Sequence, residues 1–105
     1  MNEPKRGEVW LADIPDEKRR PVLILTRDAV LPRLTTFLVA PITTRIRGIA
    51  TEVALGRAHG LSRPCVANFD NIRPLAKDML VQRVGKLAAN ELRQVCAAGR
   101  FAIGC

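Results

Sequence analysis

The chain has 105 residues, of which 48% are hydrophobic, enough for one modest core across residues 1–105 and too many for a disordered chain. Lys and Arg number 17 against 10 Asp and Glu, and this excess of +7 draws polyanions: nucleic acid, an acidic protein or an anionic membrane surface. The amino terminus lacks an apolar targeting core, and every apolar run is far shorter than a bilayer span.

Residues 7–14 mix aromatic and branched side chains between Gly7 and Pro15 and predict a first strand, with Trp10 packed in the core. Residues 15–19 are a polar connection carrying both charge signs; by composition it is a solvated hairpin loop. Next comes Arg19-Arg20-Pro21-Val22-Leu23-Ile24-Leu25. Pro21 biases Arg20 toward an extended backbone, and the aliphatic run fits a central strand over 22–26, buried on both faces. Arg27 to Pro32 breaks that run and leaves room for a single turn, because Pro32 stops any helix.

A second strand-forming run covers 35–43. Pro41 lies inside it and cannot donate to a ladder, so an edge or a bulge is expected there. Arg45-Ile46-Arg47-Gly48 is a basic loop whose alternation puts both cations on one face if extended. Short strands are predicted over 51–55 and 65–69, separated by a loop at 57–64. Asp70-Asn71 leads into Ile72-Arg73-Pro74-Leu75, and residues after Ala76 read as a helical turn followed by a strand. Leu92, Val95, Cys96, Gly99 and Ile103 then share one helix face, with Gly104 as the stop and no strong N-cap residue before it. Five or six short strands and one terminal helix give a mainly β, compact barrel-like sheet with a helix laid against it.

The cysteines, Cys65, Cys96 and Cys105, are odd in number and form no close pair. They read as reduced thiols of a cytoplasmic protein, with Cys65 and Cys96 as small buried hydrophobes. His59 is the one histidine, and no Cys/His/Asp group has zinc-ligand spacing. No metal, cofactor or His-based triad is expected. What the pattern does offer is Arg20 at the mouth of one strand and Thr43 at the end of the next. If the two strands are neighbours, these fixed donors meet at one end of the sheet and suit a phosphate.

Taken together, Arg6-Gly7-Glu8-Val9-Trp10, Arg20-Pro21-Val22-Leu23-Ile24-Leu25 and Pro41-Ile42-Thr43-Thr44 resemble the MazF/PemK-type toxins. Glu52-Val53, Val66-Ala67, Asn71-Ile72-Arg73 and the terminal helix continue the likeness in the same order. The resemblance implies an SH3-like barrel with a C-terminal helix (the MazF/CcdB-type toxin fold), usually a homodimer. It implies a metal-independent endoribonuclease that cuts single-stranded RNA at short sequences, and a cognate antitoxin that blocks the site. The family's catalytic Arg and Thr fall on Arg20 and Thr43. Family members usually carry a longer loop between the first two strands; here five residues separate Ile14 from Arg20, and Glu17 is the acid in that connection.

In this reading the 2′-OH of RNA is the nucleophile. Arg20 donates its planar fork to the phosphate, Thr43 adds a neutral donor, and Glu17 is the candidate proton carrier. Arg19, Thr44, Arg45, Arg47 and Arg73 are candidate RNA-binding residues, the Arg side chains for phosphates, and Asn71 could hydrogen-bond a base edge. A basic groove also invites an acidic, flexible antitoxin segment. Two other readings use the same surface: a non-catalytic toxin that inhibits a protein target, as the related gyrase poisons do, and a plain RNA-binding module.

Overall fold

The computed structural model describes residues 3–26 and 36–104. Among these, seven strands and one helix follow in order: β1 Glu8–Ala12, β2 Arg20–Ile24, β3 Thr36–Thr43, β4 Glu52–Leu55, β5 Cys65–Asn68, β6 Arg73–Ala76, β7 Leu80–Lys86 and α1 Leu92–Ile103. The strands form one curled, half-barrel sheet in the order β4-β5-β3-β2-β1-β7, and β6 lies beside β3. Every pairing is antiparallel. The expected turn at 27–32 and Cys105 lie outside the described residues.

The sheet is buried on both faces, as the aliphatic run of β2 predicts. Val9, Leu23, Ala40, Ile42 and Ala67 point into one core, which α1 covers with Val95 and Ala98. Trp10, Val22, Ile24, Phe37 and Val39 alternate into a second core closed by Leu75 and Leu80. Leu23, Ile24, Phe37 and Val9 are fully buried, each contributing about 1.5–3 kcal/mol by removal from water.

The opening motif is structural. Gly7 has φ 86°, a left-handed backbone that favours glycine, and a Cβ there would press on the tip of the Leu92 side chain (2.7 Å from Cδ2). The Glu8 carboxylate is buried and ties three segments together. Its Oε1 accepts from Lys5 N–H (2.8 Å) and Trp10 Nε1–H (3.0 Å), and Arg83 Nη1 on β7 donates to Oε2 (3.1 Å). A buried carboxylate satisfied in this way is a bracket for the β1–β7 edge.

Pro41 has a specific explanation. On one side it pairs with Val22 of β2. On the other side β3 changes partner: it pairs with β6 from Thr36 to Val39 and with β5 from Ile42 onward. The missing N–H falls in this hand-off, where no outer ladder bond is required.

The structure departs from the sequence expectation in two places. β6 was not anticipated as a strand, because Pro74 interrupts it; the strand sits at an edge, pairing with β3 alone, where Pro is tolerated. The helix is turned toward its small residues: Val95 and Ala98 are buried and Ala102 packs on the core, while Cys96 is exposed and Ile103 is 73% exposed. Small side chains let the helix approach the sheet, and a pattern drawn from large apolar residues misses them. Cys65 is buried as expected.

The helix is entered through a turn at Ala89–Glu91, where the Glu91 carboxylate replaces a cap residue. Its Oε1 accepts from Ala88 N–H (2.8 Å), and its Oε2 faces His59 Nε2 (2.9 Å). Gly104, with φ 78°, ends the helix as its position predicts.

Candidate active site

The strand register delivers Arg20 to Thr43. β2 and β3 pair at Val22↔Pro41, and two steps outward along both strands arrive at these residues. Both therefore lie on one face of the sheet, at its rim. They line a cavity of about 190 Å³ together with Pro41, Ile42, Arg45, Arg47, Asn68 and Asn71. Residues from β2, β3, the loop after β3, and the turn after β5 thus converge on one small recess.

Each group is held. Thr43 Oγ1 accepts from Arg45 N–H (3.1 Å), which fixes the start of the basic loop and leaves the Thr43 hydroxyl proton free to donate. The loop is pinned further on by Glu52, whose carboxylate accepts from Arg47 N–H (3.0 Å) and Gly48 N–H (2.9 Å). The turn Phe69–Asn71 is fixed from two sides. Asn68 Oδ1 accepts from Asp70 N–H (2.9 Å), and Thr51 both donates its hydroxyl to Asp70 Oδ2 (2.7 Å) and accepts Phe69 N–H (2.9 Å) on its carbonyl.

The electrostatics of the recess are one-sided. Arg20, Arg45 and Arg47 all line it, and none of their guanidiniums has a carboxylate partner among the described residues. No carboxylate lines it among the described residues. Three arginines outside the recess do have carboxylate partners: Arg19 with Asp13 (3.5 Å), Arg73 with Glu17 (3.4 Å) and Arg83 with Glu8 (3.1 Å). Converging cations without internal counter-charge repel one another in the free protein, and a polyanion relieves that repulsion.

Of the residues singled out in the sequence, Arg20, Thr43, Arg45, Arg47 and Asn71 meet in the cavity. Arg19, Glu17, Thr44 and Arg73 do not line it. Arg19 is turned to Asp13. The connection holding Glu17 is a tight turn, with Asp16 at φ 64° and Glu17 N–H donating to Ile14 O (3.1 Å). Its carboxylate is engaged by Arg73, so this segment is fastened to β6. Asn68 is the site residue that sequence reasoning missed. Its signal was the Asn-x-Asp spacing that starts an Asx turn. Among the described residues no three His, Cys, Asp or Glu side chains are grouped closely enough to hold a metal ion, and no helix is long and apolar enough to cross a membrane.

A half-barrel capped by one helix, with an arginine-lined recess at the strand ends, defines a small β-protein built to hold an anionic ligand at its rim. Residues 5–101 match the model of the PemK-like, MazF-like toxins of type II toxin-antitoxin systems, and the chain belongs to that family. It is 43% identical over 103 residues to the probable endoribonuclease MazF5 of Mycobacterium tuberculosis, covering 97% of this chain and 94% of that protein. It is 47% identical over 75 residues to endoribonuclease MazF3 of the same organism, covering 71% of this chain and 73% of that one. The fold superposes on the Mycobacterium tuberculosis toxin MazF-mt6 with a TM-score of 0.86 at 39% identity, covering 92% of this chain and 96% of the other. It also superposes on a mycobacterial endoribonuclease solved in complex with its cognate antitoxin, with a TM-score of 0.83 at 30% identity, covering 96% and 95%.

Proposed function

We propose that this protein is an endoribonuclease toxin that cuts single-stranded RNA at short sequences, without a metal, and so halts translation and growth. The observation that carries the reading is the recess itself: three arginines without carboxylate partners converge beside a threonine whose hydroxyl is free to donate.

RNA brings its own nucleophile. The 2′-oxygen forms a bond to phosphorus as the bond to the 5′-oxygen breaks, leaving a 2′,3′-cyclic phosphate and a 5′-hydroxyl. One proton leaves the 2′-OH and one is delivered to the departing 5′-oxygen. We assign Arg20 to the non-bridging oxygens, where its fork meets the charge that develops in the pentavalent state. Thr43 donates to the same phosphate and fixes its position. Arg45 and Arg47 hold the flanking phosphates, and Asn71 contacts a base. Arg19, Thr44 and Arg73 extend the track outside the recess. The pairing of Glu17 with Arg73 favours a role for Glu17 in shaping this edge over one as proton carrier.

The same rim suits an acidic, flexible antitoxin segment, which would cover Arg20 and neutralise the cationic cluster. A homodimer in the cytoplasm completes the proposal; a relative named as an endoribonuclease and another solved with its cognate antitoxin support the nuclease and antitoxin parts of it.

The test is incubation with a long single-stranded RNA in excess chelator, followed by mapping of the 5′ ends. Wild type gives discrete fragments ending in 5′-hydroxyls. Arg20→Ala stays folded and loses roughly 3 kcal/mol of transition-state stabilisation, a hundredfold or more in rate. Shifted but intact RNA would mean a binding module instead, and neither shift nor fragments would point to a protein target. Undiminished cutting by the Ala variant would end the assignment of Arg20.

A further inference from the structure

We propose that Thr51 and Glu52 are positioning residues: adjacent in the chain, they hold the two loop-built walls of the recess at the spacing a bound strand requires. The inference rests on the single-stranded RNA reading above and does not depend on which groups move protons.

The recess has walls of two kinds. Arg20, Ile42 and Thr43 stand on β2 and β3, where the ladder fixes them. Arg45 and Arg47 stand on the loop after β3, and Asn71 on the turn after β5. Neither of these segments belongs to a strand. Their side chains are only as well placed as whatever fastens the backbone beneath them.

Both fastenings come from one dipeptide. Thr51, only 6% exposed, takes hold of the turn. Its hydroxyl donates to Asp70 Oδ2 (2.7 Å), and its carbonyl accepts from Phe69 N–H (2.9 Å). Asn68 Oδ1 accepts from Asp70 N–H (2.9 Å) as well, so Asp70 is fixed at both ends and the direction of the chain into Asn71 is set. Glu52 takes hold of the loop. Arg47 N–H (3.0 Å) and Gly48 N–H (2.9 Å) both donate to its Oε1. Consecutive N–H groups leading into a left-handed glycine, here Gly48 with φ 71°, form a concavity suited to an anion, and Glu52 fills it from within. Glu52 N–H donates to Ile49 O (3.0 Å), which closes the loop on itself. Across the β4–β5 ladder Glu52 pairs with Asn68, so the hold on one wall is keyed by register to the other.

Neither residue lines the recess. The Glu52 carboxylate makes no ion pair among the described residues; it is spent on backbone N–H groups and leaves the Arg45 and Arg47 guanidiniums for a ligand. Contacts to flanking phosphates set the register of a bound strand. The scissile phosphate stays with Arg20 and Thr43 on β2 and β3. Loosening the dipeptide's hold therefore costs binding of the flanking nucleotides and spares the chemical step.

The experiment uses the full chain and two readouts: kcat and KM on a short single-stranded RNA, and affinity for a fluorescent, randomised 2′-deoxy single strand, which cannot be cut. Thr51→Val and Glu52→Ala should each raise KM and weaken the affinity by about tenfold, the share of one well-placed contact, with kcat within threefold of wild type. Thr51→Ser restores the hydroxyl. Glu52→Gln keeps one oxygen, and one suffices because both N–H groups converge on Oε1. Both conservative variants should return to within threefold of wild type. The sign for Glu52→Ala is decisive. It removes a negative charge from a basic protein, so a purely electrostatic role predicts tighter binding of the strand, and a positioning role predicts weaker. Thermal melts confirm folding; if Glu52→Ala does not fold, Thr51→Val, which keeps the side-chain shape, decides alone. Unchanged or tighter binding, a fall in kcat at constant KM, or Ser and Gln variants as impaired as Val and Ala overturn the inference. Wild type that cuts RNA while the variants bind normally leaves the nuclease reading standing and ends this one. Wild type that binds the deoxy strand with the variant pattern above but never cuts RNA does the reverse, and wild type that neither binds nor cuts ends both.

Discussion

Replacing Thr43 with Val separates the chemical role of the hydroxyl from its structural one. Val keeps the branched shape and the strand preference, so β3 should survive. What is lost locally is the bond from Arg45 N–H at 3.1 Å. That N–H lies on an exposed loop, where water can take its place, so the cost is about 0.5–1 kcal/mol. For a chain of this size the melting temperature should fall by no more than roughly 4–8 °C. The chemical loss is larger. A preorganised donor aimed at a phosphate in its charged transition state contributes roughly 3 kcal/mol, so cleavage should slow about a hundredfold. Thr43→Ser restores the hydroxyl and should stay within about fivefold of wild type, the deficit reflecting a less constrained χ1. Single-turnover cleavage of a short fluorogenic RNA gives the rates, and a thermal melt of each protein gives the stabilities. The reasoning fails if the Val variant cuts within threefold of wild type. It fails equally if Ser and Val variants slow together, since the hydroxyl would then not be what matters.

Two further outcomes follow from the packing. Gly85 on β7 sits so close to the 56–60 turn that an added Cβ would lie 1.9 Å from His59 O and 2.3 Å from His59 C, both backbone atoms. Gly85→Ala should therefore destabilise by about 3 kcal/mol and lower the melting temperature by roughly 12–24 °C; a melt within 2 °C of wild type would refute the close approach. Glu91 is held below the ordinary carboxylate range, first by the Ala88 N–H and then by His59. A carboxyl lowered by folding stabilises above its unfolded value, near 4.5, and that contribution disappears as pH falls through the lower folded value. Glu91→Gln should consequently melt below wild type at pH 6, with the gap closing toward pH 3; a gap that stays constant over that range contradicts the linkage.

The rim was legible because its residues are local signals. Arg20 before Pro21 announced an extended entry to a buried run, and Pro41-Ile42-Thr43 announced a strand end, so their meeting needed only that β2 and β3 be neighbours. Pro41 itself looked like an obstacle until the change of partner along β3 was visible, and no sequence pattern encodes which strand stands on which side. β6 was hidden by Pro74, a residue that argues against a strand unless it lies at an edge. Helix α1 was found, but its rotation was not, because Ala98 and Ala102 count for little in a hydrophobic pattern and for much in close packing. Asn68 was concealed for a related reason. Its burial and its committed oxygen come from a turn fastened by Thr51, 17 residues earlier in the chain.

The partner exchange along β3 bears on when the site is assembled. One edge of that strand faces β2, made before it, and the far end of the other edge faces β5, made after it. A polypeptide emerging from the ribosome holds the guanidinium of residue 20 long before the wall contributed by residues 68 and 71 exists. The recess is complete only once the sheet closes, so a chain that stops short of β5 keeps the entry strand and lacks the opposite wall.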